Sequence, residues 1–251
     1  MPHHVARDGT RLAYELTEGA APGVVFLGGF ASDMTGTKAV ALEAWAKAAG
    51  RAFLRLDYSG HGASEGAFEA GTIGRWRDDA LEVIAAAMPG AHVLVGSSMG
   101  GWIALLLARD HPDRVAGLVT VAAAPDFTED GYWASFTEAQ RLALFEQGKV
   151  AVASDYGAPY VITRGLIEDG RRNLVLRSAL RLGVPVRMLQ GAADADVPVA
   201  WATRLMDHLE AADARLTVVK GVDHRFSDPA SLALLEATVA EVVSLADAGA
   251  R

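Results

Sequence analysis

The sequence contains no cysteine. Disulfide bonds and thiolate chemistry are therefore excluded, and any nucleophile in this protein must be an oxygen or a nitrogen atom. A chain without cysteine is compatible with the reducing cytoplasm, which is the location we expect. Residues 1–16 are polar and mixed. They lack the charged and then apolar pattern of a secretory signal.

Long apolar runs and basic blocks are also missing. The longest apolar run lies near residues 102–108, far short of the roughly 20 residues that a membrane-spanning helix needs. We therefore expect no membrane span. The 23 Lys and Arg residues are outnumbered by 31 Asp and Glu residues, which gives a net charge of −8. Because nucleic acid requires a basic surface, we expect no nucleic-acid partner.

Signatures of cofactor binding are absent from the sequence. It contains neither the G-x-G-x-x-G pattern of dinucleotide-binding folds nor a Walker motif. No His, Asp and Glu residues are spaced as metal ligands usually are. We therefore expect no cofactor and no metal, and a small molecule as the binding partner. The oligomeric state cannot be derived from these features.

Short apolar runs rich in Val and Leu alternate with helix-like segments. The predicted strands are 24–27, 52–56, 92–95, 115–121, 184–189 and 216–219, and the predicted helices are 35–49, 72–88, 99–111, 198–209 and 228–246. Such strands are typical of a parallel sheet that is buried on both faces. Asp8-Gly9 favours a hairpin turn within residues 5–16. The sequence predicts one α/β domain over residues 1–251, with a mostly parallel, doubly wound sheet.

Residues 126–180 interrupt this alternation. From residue 127 onward the segment contains no strand-like run, only amphipathic helical pieces. Its aromatic residues are Tyr132, Trp133, Phe136, Phe145, Tyr156 and Tyr160. An insertion between two strands of such a sheet lies over the end where ligands bind. We predict a small helical lid, with part of this aromatic set packed as ordinary core.

Residues 96–100 read G-S-S-M-G, a match to G-x-S-x-G with Ser98 at its centre. A predicted strand precedes the match and an apolar helical pattern follows it, which is the context of a nucleophile elbow. Glycines flank the serine because side chains there would collide with neighbouring elements. The alternative is a serine that merely caps the helix. Ser97 is the rival hydroxyl, but it should point away from the cleft.

A serine needs a base to take its proton, and histidine has a suitable pKa. In α/β-hydrolases the order along the chain is serine, acid, histidine. His224 follows the last predicted strand and precedes the last helix, where a base could reach the elbow. His208 lies inside a predicted helix, and His61 precedes the serine and should shape a turn. The remaining histidines, His3, His4, His92 and His111, are poorly placed.

The acid should follow the strand before that histidine. Asp194 lies three residues after Gly191 and four before Pro198, and it is the residue we expect to orient the histidine. Asp196 is an alternative, although it should instead cap the helix that begins near Pro198. Asp126 is a third candidate, at a position that some hydrolases use.

Acyl transfer also requires two backbone N–H donors for the oxyanion. One donor should be Met99, directly after the serine, and the other should lie in the loop after the first central strand. That loop reads Gly28-Gly29-Phe30-Ala31. Phe30 is the donor that we predict there.

Several further segments resemble one group within the α/β-hydrolase superfamily. They are 34–39 (MTGTKA), 55–60 (RLDYSG), 74–79 (GRWRDD), 95–102 (VGSSMGGW) and 223–225 (DHR). The chain resembles the mitochondrial α/β-hydrolase-domain enzymes known as palmitoyl-protein thioesterases or acyl-glucuronide esterases, with their bacterial relatives. The segments span the chain from the first central strand to the last loop, and the predicted lid matches weakly.

The resemblance implies that Ser98, Asp194 and His224 form a catalytic triad. It implies hydrolysis of acyl thioesters or of activated carboxylic esters, glucuronide acyl esters included. Two segments depart from the group's pattern: residues 28–30 read G-G-F where many relatives have Pro-Gly or His-Gly, and Trp201 does not directly follow the proline. Both departures leave the substrate open. The chain shows no Arg-rich transit segment, and the abundance of alanine and of arginine over lysine favours a bacterial source.

Other functions fit the same residues. A carbon–carbon bond hydrolase or a cofactor-free oxygenase could use the scaffold, and a non-catalytic binding protein could retain the fold. Dehalogenases and soluble epoxide hydrolases are disfavoured because they have Asp where Ser98 stands. Asp57 is expected to order the loop that contains residues 59–62, and Trp76 and Arg77 are expected to pack against that loop. Arg225, next to His224, could meet a substrate carboxylate or pair with a neighbouring Asp.

Overall fold

The structure, a computed structural model, describes residues 1–154, 157 and 159–249. Its strands are β1 (His3–Val5), β2 (Arg11–Thr17), β3 (Ala20–Leu27), β4 (Arg51–Leu56), β5 (His92–Ser97), β6 (Val115–Val121), β7 (Lys149–Val152), β8 (Tyr160–Thr163), β9 (Leu180–Arg181), β10 (Val186–Gly191), β11 (Leu209–Glu210) and β12 (Ala214–Val219). Its α-helices are α1 (Thr37–Ala48), α2 (Ile73–Ala87), α3 (Met99–Asp110), α4 (Glu138–Gln147), α5 (Arg164–Arg172), α6 (Val199–His208) and α7 (Pro229–Gly249). A π-helical stretch covers Phe127–Trp133.

The main sheet of the described chain has eight strands in the order β1-β2-β4-β3-β5-β6-β10-β12. From β4 to β12 all neighbours in this order pair in parallel, while β1 and β2 are antiparallel at one edge. The predicted fold class is therefore confirmed, and each of the six predicted strands and five predicted helices overlaps an observed one, with ends that differ by up to four residues. The hairpin turn also forms, with Gly9 at φ 88°, a conformation that glycine adopts readily.

Helices cover both faces of the sheet. On one face α1 and α7 pack against Phe26, Val93 and Val119. On the other face α2 and α3 pack with Leu54 and Leu94. Each fully buried Leu, Val or Phe side chain contributes about 1.5–3 kcal/mol. This packing fixes the parallel strands, so that the loops after β3, β5, β10 and β12 leave the sheet at the same edge.

The expectation of no strand between residues 127 and 180 is wrong. β7 and β8 form a separate antiparallel pair, and β9 pairs with β11. β7 and β8 have four residues each, and exposure alternates along β7. Because each strand has only three consecutive apolar residues and is only partly buried, the two strands give a weaker signal than the buried strands of the main sheet.

Among the described helices, α7 is the one long and apolar enough to cross a membrane by length and composition. The run near residues 102–108, by contrast, lies in α3 and is buried. Along α7, Leu235, Val239 and Val242 are fully buried against the sheet. A helix that packs an apolar face against a sheet can have the length and apolar composition of a membrane helix.

The packing of α7 can be measured directly. Leu235→Ala should lower the free energy of unfolding by about 3 kcal/mol, because it leaves a cavity under the helix. Leu245→Ala changes the same residue type on the same helix at a site that is 39% exposed, and it should cost less than about 0.5 kcal/mol. Urea unfolding gives both values. Equal costs for the two variants would contradict this placement of α7.

Candidate active site

Ser98 lies in the turn that joins β5 to α3. Its backbone has φ 54° and ψ −119°, a conformation that residues other than glycine rarely adopt. Two hydrogen bonds hold the turn: the Ser98 amide donates to the Val121 carbonyl at 2.9 Å, and the Ala124 amide donates to the Ser98 carbonyl at 3.1 Å. Strain of this kind persists where the surrounding structure enforces it, and it is concentrated at functional sites.

The two outer glycines of G-x-S-x-G allow this turn to pack closely. A Cβ atom on Gly96 would lie 2.6 Å from the carbonyl carbon of Gly100. A Cβ atom on Gly100 would lie 2.6 Å from the carbonyl oxygen of Gly28. Real Cβ atoms do not approach other atoms so closely, so the start of α3 can touch the end of β3 only because these residues have no side chain.

The three side chains predicted to form a triad meet at one edge of the sheet. Asp194 follows β10 and His224 follows β12. His224 Nε2 lies 3.2 Å from Ser98 Oγ, and His224 Nδ1 lies 2.9 Å from Asp194 Oδ2. An ionised carboxylate only accepts hydrogen bonds, so Nδ1 carries the proton in this pair. Nε2 is then the nitrogen that can accept a proton from Ser98.

The Asp194 carboxylate is buried and accepts four hydrogen bonds. Oδ2 accepts from His224 and from Gln190 Nε2 at 2.9 Å, while Oδ1 accepts from the amides of Asp196 at 3.0 Å and Val197 at 2.8 Å. Burial by itself raises the pKa of Asp194, but the hydrogen bonds from His224 and Val197 outweigh it and lower the pKa below the ordinary value. Asp194 is therefore ionised at neutral pH.

The expectation that Asp196 caps α6 is wrong. The N-cap of α6 is Pro198, without a side-chain cap hydrogen bond. The amide of Trp201, which a capping carboxylate could have bound, donates instead to the Pro198 carbonyl at 2.8 Å. Asp196 is exposed and lines the cavity beside the triad.

Asp126, the third candidate acid, is fully buried away from the histidine. Its carboxylate accepts from the amides of Val175 at 2.8 Å and Leu176 at 3.0 Å, and from Arg177 Nη1 at 3.1 Å. These bonds attach the chain just after residue 125 to the chain just before β9. The structure therefore gives Asp126 an anchoring position, while the carboxylate that contacts His224 belongs to Asp194.

The two predicted oxyanion donors flank the serine. Met99 is the first residue of α3, and Phe30 lies in the loop after β3, where Ala31 has φ 55°. Over the described residues, neither amide donates to another backbone carbonyl. This loop approaches the serine closely, since a Cβ on Gly29 would lie 3.4 Å from Ser98 Cβ. Neither amide is thus taken up by a backbone hydrogen bond in this part of the chain.

A cavity of about 730 Å³ opens above Ser98 and His224. The segment 126–180 contributes Phe127, Tyr132 and Tyr160 to its wall, and the ring of Phe30 contacts all three. Tyr156, also predicted to belong to this aromatic set, lies outside the described residues.

The remaining aromatic residues of the segment differ in exposure. Phe136 is buried. Trp133 lies under the guanidinium groups of Arg141 and Arg171, and Phe145 is exposed beneath Arg164. The part of the set that faces Ser98 therefore gives the cavity an apolar, aromatic side.

The residues expected to be structural lie outside the triad. His61 is buried among aromatic rings, and burial lowers its pKa. His208 lies on α6, with Nδ1 2.8 Å from the Arg204 carbonyl. Asp57 accepts from two loop amides, those of Met34 at 2.7 Å and Ala63 at 2.8 Å. The prediction that Asp57 orders a loop is confirmed.

One group of possible metal ligands occurs within the described ranges. Atoms of Asp194, Asp196 and His224 lie within 4.8 Å of one another. Both oxygens of Asp194 and both nitrogens of His224 are already engaged in the hydrogen bonds given above. This set therefore fits a hydrogen-bonded triad better than a metal site.

Sequence reasoning missed two residues of the site. Gln190 is fully buried and its Nε2 donates to Asp194 and to the Val197 carbonyl; a polar residue near the end of an apolar strand was the available signal. Lys38 lines the cavity, and its Nζ donates to the Arg225 carbonyl. A lysine in the first turn of a helix, where the helix dipole disfavours a cation, was the signal there.

Comparison with known proteins identifies the class. Residues 20–164 match the Hydrolase_4 family model, described as serine aminopeptidase S33. A putative hydrolase from Agrobacterium vitis S4 superposes with a TM-score of 0.92 at 40% identity, covering 96% of this chain and 98% of that one. The chain belongs to the α/β-hydrolase family.

Within this family, the chain is similar to a particular mammalian protein. It is 34% identical to mitochondrial palmitoyl-protein thioesterase ABHD10 of Mus musculus over 234 residues, which cover 92% of this chain and 78% of that protein. The solved structure of mouse α/β-hydrolase domain-containing protein 10 superposes with a TM-score of 0.90 at 31% identity, covering 97% of this chain and 98% of the other. The relatives of this chain thus include a thioesterase.

Proposed function

We propose that this protein is a serine hydrolase that cleaves carboxylic esters or acyl thioesters through an acyl-serine intermediate. The observation that carries the proposal is the continuous hydrogen-bonded series Ser98–His224–Asp194 at the floor of the cavity. The similarity to a palmitoyl-protein thioesterase supports acyl esters and thioesters as the substrate class.

In the first half-reaction His224 Nε2 takes the proton of Ser98 while Oγ attacks the acyl carbon. The developing oxyanion accepts hydrogen bonds from the amides of Phe30 and Met99, each worth about 3 kcal/mol of barrier by analogy with other oxyanion donors. The imidazolium, stabilised by ionised Asp194, then protonates the departing alcohol or thiol. Water repeats the sequence on the acyl-serine and releases the acid.

The walls of the cavity suggest how the substrate lies. Phe30, Phe127, Tyr132 and Tyr160 form the apolar side described above, which suits the acyl chain. Segment 126–180 acts as a lid in this proposal, because it supplies three of these rings and is anchored at its base by Asp126. Closure over the acyl chain would exclude water from the oxyanion until the leaving group departs.

Replacement of the nucleophile tests the proposal. Ser98→Ala should lower turnover of 4-nitrophenyl butyrate by about 10⁴-fold or more, since no oxygen remains to form the acyl intermediate. The same variant should lose labelling by a fluorophosphonate probe. Ser244→Ala removes an exposed hydroxyl on α7 and should retain both activity and label. A wild-type protein that takes no label would instead indicate a binding protein.

The role of the acid is tested by a comparison of three carboxylates. Asp194→Asn should reduce kcat by about 10⁴-fold, because an amide can donate to Nδ1 and stabilise the wrong histidine tautomer. Asp196→Asn and Asp126→Asn leave the His224–Asp194 hydrogen bond intact and should cost far less. Kinetics with the same ester, with circular dichroism to verify folding, give the ranking. If Asp196→Asn is the most damaging change, the acid is misassigned.

A further inference from the structure

We propose that Lys38 and Arg225 form a subsite for an anionic group, a carboxylate or a phosphate, on the leaving group of the substrate. The proposal rests on the serine-hydrolase function given above and adds the chemistry of one half of the substrate. It follows from the position of the two cations, from the environment of the Lys38 ammonium, and from the hydrogen bonds of the carboxylates around them.

Both residues line the cavity that contains Ser98 and His224. Arg225 directly follows His224 in the chain, and the Lys38 ammonium donates a hydrogen bond to the Arg225 carbonyl. His224 must deliver its proton to the departing atom, so the leaving group lies on the His224 side of the serine. The two cations are therefore placed beside the leaving group.

The charge of Lys38 is poorly compensated. Its acceptor is a neutral carbonyl, and throughout the described ranges no carboxylate lies within 4.0 Å of its Nζ. Burial lowers the pKa of Lys38. The negative charge of Asp223 raises this pKa, whereas the positive charge of Arg225 lowers it further, and the resulting pKa is about 8. Lys47, on the same helix, pairs with Glu43 at 2.9 Å instead.

Placing Lys38 here is unfavourable in two further respects. It lies in the first turn of α1, where the helix dipole repels a cation, and it lies close enough to Arg225 for the two charges to repel. A partly buried cation without a paired anion costs free energy. A ligand carboxylate or phosphate beside both groups would offset all three costs.

Two nearby carboxylates, Asp33 and Asp223, accept hydrogen bonds within their own loops. Asp33 accepts from the amide and the hydroxyl of Thr35. Asp223 accepts from the amides of Arg225 at 3.1 Å and Phe226 at 3.3 Å, which shapes the loop after His224. Asp196 lines the same cavity. The hydrogen bonds of Asp33 and Asp223 thus serve their own loops.

Two matched esters test the proposal. They are the butyrate esters of 4-hydroxybenzoate and of 4-hydroxybenzamide, which share the acyl group and shape and differ in the charge of the leaving group. Wild-type protein should prefer the carboxylate ester by about tenfold in kcat/KM, the size of effect expected for a hydrogen-bonded charge pair. The butyrate ester of 4-hydroxyphenyl phosphate shows whether phosphate or carboxylate fits better.

Variants at Lys38 show whether this residue causes the preference for the charged ester. Lys38→Met should lower the kcat/KM ratio of charged to neutral ester toward one, with Arg225 retaining a part of the preference, while Lys38→Arg should keep the wild-type ratio. Lys47→Met makes the same change of charge at the other end of α1 and should keep the wild-type ratio. Because the neutral ester is measured on every variant, any disturbance of the His224 loop cancels from the ratio.

The pH dependence gives a test that needs no variant. The wild-type ratio should fall as pH rises through about 8, as the Lys38 ammonium loses its proton. The other charged groups that act on Lys38 are Asp223 and Arg225, and His224 acts on both esters alike. The fall should disappear in Lys38→Arg, whose guanidinium stays protonated.

Three outcomes would overturn the subsite. They are a wild-type ratio near one, a Lys38→Met ratio equal to that of wild type, and a ratio that is constant from pH 6 to pH 10. If wild-type protein cleaves neither the neutral nor the charged ester, the serine-hydrolase function itself fails, and the subsite fails with it. Cleavage of the neutral ester therefore separates the two failures.

Discussion

The hydrogen bond between His224 and the buried Asp194 carboxylate is the interaction on which the site depends. A buried carboxylate stays ionised only where enough donors replace water, and Asp194 has four. Its charge fixes the proton on Nδ1 and leaves Nε2 for Ser98. The parallel sheet makes this arrangement possible, because it brings the carboxyl ends of strands β5, β10 and β12 to the same edge of the sheet.

The parts of the site that sequence could predict are those with local causes. The turn at Ser98 needs glycines within two residues, and a strand followed at once by a helix, so a short motif identifies it. His224 and Asp194 could be placed because each follows a predicted strand. The strands themselves were visible because both faces of the sheet are buried, which produces continuous apolar runs.

The parts that sequence did not predict depend on partners far along the chain. Gln190 reaches Asp194 only when β10 and its loop are folded, and Lys38 meets Arg225 across 187 residues. The strands β7 and β8 are too short to show a hydrophobic pattern in the sequence. Asp196 does not cap α6, because the N-cap position of this helix is occupied by Pro198. The extent of the domain, the movement of segment 126–180 and a cytoplasmic location stay predictions.

A crystal structure of the protein after reaction with an alkyl fluorophosphonate tests the central claim most directly. The account predicts phosphorus bonded to Ser98 Oγ, with the phosphonyl oxygen within about 2.7–3.1 Å of the Phe30 and Met99 amides, and the His224–Asp194 contact retained. An adduct on another residue, or a phosphonyl oxygen that points away from both amides, would contradict it.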